Sequence, residues 1–212
     1  MRLLRDNGLT LALTAAFLFS LVGMMLAGWA DENAELVQHS RPQIGFSAYI
    51  VSGSFLSALF ENWESEFLQM AAYVILTAYL LQRGSAESND PDDPGRERDE
   101  LPKHWRRRAP LLGWLYAHSL GIALTLLFIL CFVAHWLSSL AAANQEAATH
   151  GEPHLGALQY LADPRFWFES FQNWQSEFLS TAVLVVLSIV LRFRGSPESK
   201  PVAAPHSETG AS

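Results

Sequence analysis

Four long apolar runs, nearly free of charged residues, constrain this chain of 212 residues more than any other feature. The first run, Leu9 to Trp29, would form a helix of about 31 Å, which matches a hydrocarbon core of about 30 Å. Almost all ionisable residues lie between the runs. This layout predicts an all-α, multi-pass membrane protein and outweighs the net charge of −7, which alone is typical of a soluble acidic domain.

The four transmembrane helices are expected at about residues 9–30, 63–82, 111–141 and 174–193. Two of them are shorter than the others and begin at a tryptophan, whose indole prefers the level of the lipid headgroups. The lone cysteine, Cys131, lies inside the third run, so an intrachain disulfide is excluded. No nucleotide-binding, hydrolase or dinucleotide motif occurs, and we expect neither enzymatic activity nor a bound cofactor.

The distribution of Lys and Arg predicts the orientation of these spans. Twelve of the 14 basic residues lie in the N-terminal segment, the central loop and the C-terminal segment. The other two loops hold only Arg41 and Arg165. By the positive-inside rule, both termini and the central loop are cytoplasmic, and the two remaining loops face outward.

Composition alone assigns two segments outside the spans. The central loop at 89–110 is acidic first and then basic, which predicts a solvated cytoplasmic linker. Three consecutive arginines in it are candidates to hold anionic lipid headgroups: Arg106, Arg107 and Arg108. The end of the chain, 200–212, is rich in Pro, Ala and Ser and predicts a disordered tail. We expect no nucleic-acid partner for a chain of negative net charge.

The sequence contains an internal repeat of two similar units. Residues 9–88 align with 120–199 at an offset of 111 positions, without a gap and with 31 identities in 80 positions. The densest match pairs FENWESEFL at Phe60 with FQNWQSEFL at Phe171. Because each unit has two spans, both units enter and leave the membrane on the same side, as parallel repeats. We expect a pseudo-twofold four-helix bundle of two such repeats, at 1–88 and 111–199.

Helix signals in the outer loops are also repeated. The first helix of each unit should extend about 10 residues past the membrane and stop at His39 or His150, each followed three residues later by proline. The chain should then return through a short interfacial helix, capped by Ser54 in the first unit and by Asp163 in the second. Asn62 and Asn173 stand where the N-caps of the second spans are expected.

The repeated N-W-x-S-E-F motif supplies the candidate binding residues, which are Asn62, Trp63, Glu66, Asn173, Trp174 and Glu177. Acids at a membrane boundary can bind a cation or relay protons, although an acid in a first helical turn is also favoured by the helix dipole. Glu66 and Glu177 are preferred because the acid is retained in both copies, whereas the neighbouring Glu64 becomes Gln175.

Histidines provide a second set of candidates. The pseudo-twofold could bring His39 and His150 together with carboxylates as a metal site, although no short-spaced ligand motif is present and a histidine at a helix C-terminus often caps it. His118 and His135 align with Asn7 and Met24 and have no histidine counterparts. These two are therefore interpreted as packed or interfacial side chains.

With FENWESEFLQM, RGSAES, FQNWQSEFL and RGSPES in view, the sequence resembles a family of small bacterial integral membrane proteins described as domain of unknown function 6766. The resemblance covers nearly the whole chain and implies a bacterial inner-membrane location. It implies no activity, substrate or catalytic residue.

Three functional hypotheses stay open at this point. The first is a non-enzymatic binding or assembly surface at the outer face, with a second copy or another membrane protein as partner. The second is a small transporter or channel that uses Glu66 and Glu177. The third is a metal-dependent membrane enzyme with His39 and His150.

Overall fold

The computed structural model describes residues 6–93, 99–101 and 109–210. All regular secondary structure in these ranges is helical. The helices are α1 (Gly8–Gln38), α2 (Phe46–Tyr49), α3 (Gly53–Tyr79), α4 (Pro110–Ala117), α5 (Ser119–His150), α6 (Ala157–Leu161) and α7 (Pro164–Val190). Arg106, Arg107 and Arg108, the candidates for lipid binding, lie outside the described residues.

Three of these helices, α1, α5 and α7, are long and apolar enough to cross a membrane. The structure therefore confirms an all-helical chain compatible with a membrane, but the described residues contain three such helices where the sequence predicts four spans. The difference lies in α3, which has 27 residues like α7 but contains no stretch of 18 residues that is apolar enough, because its second half is more polar than that of α7. Its Gln69 and Tyr73 stand where α7 has Ser180 and Leu184.

The third predicted span, expected as one helix from residue 111, is interrupted at His118. The backbone there leaves helical geometry, with φ −111° and ψ 10°, and α4 ends one residue earlier. The His118 ring Nδ1 lies 2.8 Å from the Trp114 carbonyl oxygen, so the side chain bonds a carbonyl of the preceding turn. Because this local bond competes with helix continuation, α5 starts afresh at Ser119.

The chain divides into two compact units. One contains the chain up to Leu59 together with Leu137–Ala157, and the other contains Phe60–Trp136 and everything from Leu158 onward. In the first unit, α1 and α5 end at the places predicted from sequence. Ser40 (φ 57°) and Gly151 (φ 70°) adopt left-handed backbone conformations directly after the two helix ends.

In the first unit, an asparagine near the end of each of these helices bonds the loop that follows the helix, and we call this pair of bonds an asparagine clamp. Asn33 Oδ1 accepts a hydrogen bond from the Ile44 amide at 2.8 Å, and its Nδ2 donates to the Ile44 carbonyl at 3.1 Å. Asn144 makes the same two bonds to Leu155, at 2.8 and 3.1 Å. Each clamp holds the returning loop against the long helix and satisfies a loop peptide group that has no helical partner.

α3 and α7 begin well before the tryptophans that were expected to open the second and fourth spans. Asp163 caps α7 as predicted, since its Oδ1 accepts from the Arg165 amide at 2.8 Å. Ser54, Asn62 and Asn173, however, lie inside continuous helices, so the N-cap role expected of these three residues is wrong. The interfacial helix expected before each span is likewise the first part of the same helix.

The repeated RGSxES motif forms a tight turn in the second unit after α3 and again after α7. Gly84 and Gly195 have φ values of 84° and 87°, which favour glycine. Ser88 Oγ accepts from the Gln82 amide at 2.8 Å, and Ser199 Oγ makes the equivalent bond to the Phe193 amide at 2.9 Å. These two sequences are therefore structural motifs that end the helices.

The segment 200–210, for which the sequence predicts disorder, is held by specific hydrogen bonds. The buried Lys200 ammonium donates to three backbone carbonyls, those of Pro205, His206 and Glu208, at 3.4, 3.0 and 2.8 Å. The Gly210 amide donates to the Ser85 carbonyl at 2.9 Å. The segment has few apolar residues to bury. It is held instead by backbone carbonyls that accept hydrogen bonds from one buried cation.

Candidate functional site

A completely buried acid–base pair lies in the second unit. Glu64 of α3 and His135 of α5 both have side chains with 0% exposure, and Glu64 Oε2 lies 2.8 Å from His135 Nδ1. The other carboxylate oxygen, Oε1, accepts a hydrogen bond of 2.9 Å from Trp174 Nε1 of α7. Three helices thus contribute one side chain each, and both oxygens of the buried carboxylate are satisfied.

A second carboxylate connects this pair with the surface. Glu169 Oε2 lies 3.8 Å from Nε2 of His135, the ring nitrogen that faces away from Glu64. Glu169 Oε1 in turn lies 3.3 Å from Arg165 Nε, one helical turn earlier on α7. Side-chain exposure rises from 0% at His135 to 25% at Glu169 and 58% at Arg165. The row runs from the buried interior toward the surface.

Glu61 adds a third carboxylate around the imidazole. It accepts a hydrogen bond from Asn173 Nδ2, and its charge interacts with those of His135, Glu64 and Glu169. We call Glu61, Glu64, His135 and Glu169 the acid–histidine cluster. One imidazole among three carboxylates can exist as the cation, and each of its two ring nitrogens faces a carboxylate.

Aromatic side chains enclose the cluster. The Phe166 ring, with 0% exposure, lies 5.0 Å from the His135 ring, and the Tyr160 ring lies 5.8 Å from Phe166. Phe132, one turn before His135 on α5, contacts Phe166 at 5.6 Å. These rings follow helical spacing, so the same faces of α5 and α7 supply both the aromatic wall and the ionisable groups. A dry wall strengthens the electrostatic interactions inside it.

A line of polar side chains leads away from the cluster between α3 and α7. On α3 it consists of Glu61, Gln69 and Tyr73, which repeat at multiples of four residues, and on α7 of Asn173, Glu177 and Thr181. Glu61 bonds Asn173, Gln69 donates to Thr181, and the Tyr73 hydroxyl donates to Glu87 at 2.8 Å. We call this line the polar seam. It extends from the cluster to the turn that follows α3.

The residues predicted from the N-W-x-S-E-F motif are only partly brought together. Trp174 and Asn173 join the cluster through Glu64 and Glu61. The repeat-related Glu66 and Glu177 lie near enough for their charges to interact, Glu66 being exposed and Glu177 half-buried. The remaining pair has other contacts: the Asn62 carbonyl accepts from Ser65 Oγ, and the Trp63 ring packs on Phe60.

His39 and His150 are both exposed, next to the ends of α1 and α5. Across the part of the chain that the structure describes, no three or more His, Cys, Asp or Glu side chains are grouped so as to hold a metal ion. The buried histidine is instead His135, which the sequence analysis interprets as a packed or interfacial side chain. It is packed, and it is also paired with an acid.

The cluster was not predicted from the sequence, because the binding residues that were predicted are those that both copies retain. The four members of the cluster are residues that the two copies do not share. Glu61, Glu64, His135 and Glu169 align with Gln172, Gln175, Met24 and Ala58, so each ionisable group occurs in one copy only. Ionisable residues that break an otherwise close repeat were thus the available signal.

Comparisons with known proteins identify a family and add no activity. A family model described as Domain of unknown function (DUF6766) matches residues 1–211. No curated protein and no solved structure matches the chain.

Proposed function

We propose that the chain, which belongs to the DUF6766 family, is a small membrane protein that conducts protons and that the acid–histidine cluster is its proton site. The observation that carries the proposal is the fully buried Glu64–His135 pair, with Glu169 at the second ring nitrogen. A proton taken up at Glu169 can reach His135 Nε2, and the proton on Nδ1 can pass to Glu64. Ionisable residues within membrane helices commonly mark such pathways.

A purely structural role explains this arrangement less well. Desolvating a carboxylate and an imidazolium costs several kcal/mol per ion, and replacing a buried ion pair by apolar residues is often neutral or stabilising. In the second unit, side-chain exposure also increases from the pair through Glu169 to Arg165. On the other side, the polar seam leads away from the pair between α3 and α7. A structural pair needs neither feature, whereas a proton path needs both.

We infer that α3 is the fourth membrane span. Gly53 and Pro164, the first residues of α3 and α7, are 111 positions apart, as are the last residues of the two helices. With 27 residues, α3 reaches about 40 Å. Two of its polar side chains, Glu61 and Gln69, bond α7, which reduces the cost of placing them in a bilayer.

The whole chain then consists of two parallel two-helix repeats in a bacterial inner membrane. Both termini and the linker at 89–110 would be cytoplasmic, as the positive-inside rule predicts. The acid–histidine cluster would lie near the outer end of the bundle, because His135 is about 24 Å along α5 from its cytoplasmic start. The linker arginines would contact anionic headgroups.

A binding or assembly role at the outer face is the second candidate. In the second unit, Leu158 of α6 and Phe168 of α7 are 78% and 70% exposed near the predicted outer surface. Exposed apolar side chains at a loop and helix start are typical of an interaction surface, for a second copy or another membrane protein. The metal hypothesis for His39 and His150 gains no supporting contact from the described residues.

Proton flux into liposomes tests the proposal. The full chain is reconstituted in vesicles that contain a pH-sensitive dye, and a potassium gradient with valinomycin makes the interior negative. We expect internal acidification above that of empty vesicles, and at least a tenfold slower rate in Glu64→Gln and His135→Met, because general acid–base groups typically contribute factors of about 100 or more. These substitutions install the residues that the other copy carries.

Three further variants separate conduction from folding. Gln69→Leu interrupts the polar seam without changing a charge and should also slow acidification, whereas Ser180→Leu, at the equivalent and exposed position of α7, should not. The double variant Glu64→Gln with His135→Met leaves no unpaired buried charge and should retain the wild-type elution profile. Acidification no faster than in empty vesicles, or equal rates in wild type and both cluster variants, would refute proton conduction.

A further inference from the structure

A cavity of about 380 Å³ lies in the second unit between α3, α7 and the RGSAES turn. Its volume falls within the range of small-molecule sites. The wall is mostly apolar, with Leu76, Leu80, Phe178 and Val185 among its side chains. Polar groups enter it from one side, where Tyr73 and Glu87 line it. An apolar cavity with a few convergent polar groups has the character of a ligand site.

Among the residues that the structure describes, Glu87 is the only carboxylate in the lining, and no Lys, Arg or His lines the cavity. Its Oε2 accepts the 2.8 Å hydrogen bond from the Tyr73 hydroxyl. Its Oε1 is buried and receives no hydrogen bond from any residue that the structure describes. A buried acceptor without a partner costs about 1–3 kcal/mol, and more when it is charged, so a ligand that donates to it is strongly favoured.

The electrostatic surroundings specify the sign of that ligand. Glu198, the counterpart of Glu87 in the second turn, lies close enough for its charge to act on Glu87 and for the two carboxyl groups to share a hydrogen bond when one of them is protonated. The neighbouring Arg83 is engaged with Asp92, at 2.6 Å between Nη1 and Oδ2. A described lining that holds one carboxylate and no Lys, Arg or His, with a second carboxylate close by, repels an anion and attracts a cation. A neutral lipid chain would fill the apolar part but would leave Oε1 without a donor.

We propose that this cavity binds an organic ammonium ion with an apolar body. Its N–H group donates to Glu87 Oε1, and its body packs on Phe178 and the surrounding aliphatic side chains. The Tyr73 and Phe178 rings, both in the lining, favour a cation electrostatically. This binding does not require proton conduction, so the two proposals stand or fall separately.

Binding is tested by calorimetry on the full chain in detergent micelles, with tryptamine as the probe. Two analogues keep its indole body: trimethyltryptammonium keeps the charge but has no ammonium N–H, and indole-3-propionate carries the opposite charge. We expect saturable tryptamine binding, weakened about tenfold or more for the trimethyl analogue and absent for the propionate. The factor corresponds to the loss of one charged hydrogen bond.

Three variants locate the site. Glu87→Gln keeps the acceptor for Tyr73 but removes the charge, and it should weaken tryptamine binding about tenfold or more. Ala182→Leu fills the cavity and leaves Glu87 intact, so it should abolish binding even if Glu87→Gln folds poorly. Glu208→Gln removes an exposed carboxylate that does not line the cavity and should bind like wild type.

Several outcomes would overturn the proposal. They are the absence of tryptamine binding to wild type, equal affinity in wild type and Glu87→Gln, unchanged affinity in Ala182→Leu, and equal affinity for tryptamine and its trimethyl analogue. Because binding is measured without flux, a protein that conducts no protons can still bind the amine, and the reverse result is equally distinguishable.

Discussion

Glu64 and Glu87 are two acids whose carboxylate oxygens have very different hydrogen-bond partners. Glu64 receives hydrogen bonds or charge contacts at both oxygens, from Trp174 and His135. Glu87 is satisfied at Oε2 only, while Oε1 is buried without a donor. Burial, followed by the nearby Glu198 carboxylate, raises the pKa of Glu87 above its ordinary value of 4.5. Such a carboxyl group destabilises the fold when it ionises.

Thermal stability should therefore fall as Glu87 ionises. Because the pKa of Glu87 is higher in the folded than in the unfolded chain, its contribution is most favourable below pH 4.5 and is lost as pH rises through the raised pKa. Glu87→Gln mimics the protonated form. We expect its Tm to exceed that of wild type at pH 7.5 and to match it near pH 4, measured by scanning fluorimetry in detergent.

Asp92→Asn is the control of opposite sign. The Arg83 guanidinium, through a hydrogen bond and its charge, lowers the pKa of Asp92, so wild type gains stability as pH rises past the ordinary pKa of this group. This variant should lose a little stability at neutral pH and none at low pH. A Tm difference between Glu87→Gln and wild type that is constant across pH would contradict the assigned cause.

Helices repeat in this chain because the local signals that start and stop them repeat. The equivalent helices start 111 positions apart, at Gly8 and Ser119 and again at Gly53 and Pro164. The asparagine clamps and the glycine turns recur with the same hydrogen bonds. One helix start is also a close packing contact. Where α7 has Pro164, α3 has Gly53, which packs closely on α5 within the first unit. A Cβ atom placed there would lie 2.6 Å from the Ala142 backbone nitrogen.

Gly53→Ala should therefore destabilise the protein. Helix propensity alone would favour alanine by about 0.5–1 kcal/mol, but the clash is with backbone atoms that cannot turn away. Overpacking of this kind costs about 1–3 kcal/mol and is the larger effect. We expect a lower Tm than wild type in a detergent melt.

Gly23→Ala provides the matched comparison. This glycine also lies in a long helix, and a Cβ atom there would meet nothing within 4 Å. The variant should be as stable as wild type or slightly more so. If both alanine variants shift Tm by the same amount, the close approach at Gly53 has no energetic consequence.

At the scale of the whole molecule, the number of spans decides where each loop lies. With four spans and cytoplasmic termini, the α5–α6 loop is outside and the C-terminal segment is inside. If α3 did not cross, both assignments would reverse, whereas the α1–α2 loop would stay outside. The two topologies therefore differ at Glu152 and Ala203 and agree at Arg41.

Cysteine labelling in intact bacterial cells distinguishes these topologies. On a Cys131→Ala background, Arg41→Cys and Glu152→Cys should react with an impermeant maleimide added outside, and Ala203→Cys should react only after permeabilisation. All three positions are exposed. Labelling of Ala203→Cys but not Glu152→Cys, with Arg41→Cys still reactive, would show that α3 does not span the membrane.

Local physics let the sequence determine most of the fold. Apolar length predicted four spans, and three of the described helices are long and apolar enough to cross a membrane. The histidine–proline pattern located the ends of α1 and α5. Asp163 was recognisable as a cap because an N-cap acts on amides only two or three residues away. The break at His118 was missed, since a side chain that bonds its own helix leaves no interruption in the apolar pattern.

Only the tertiary structure decided which ionisable groups meet. Glu64 and His135 are 71 positions apart, and their contact depends on how α3 and α5 are rotated about their axes. The repeat gives no information on that rotation, because the cluster consists of residues that the two copies do not share. The same packing left Glu87 Oε1 buried without a donor and left a cavity beside it. Spacing along the chain fixes helix faces, whereas packing between helices selects the faces that meet.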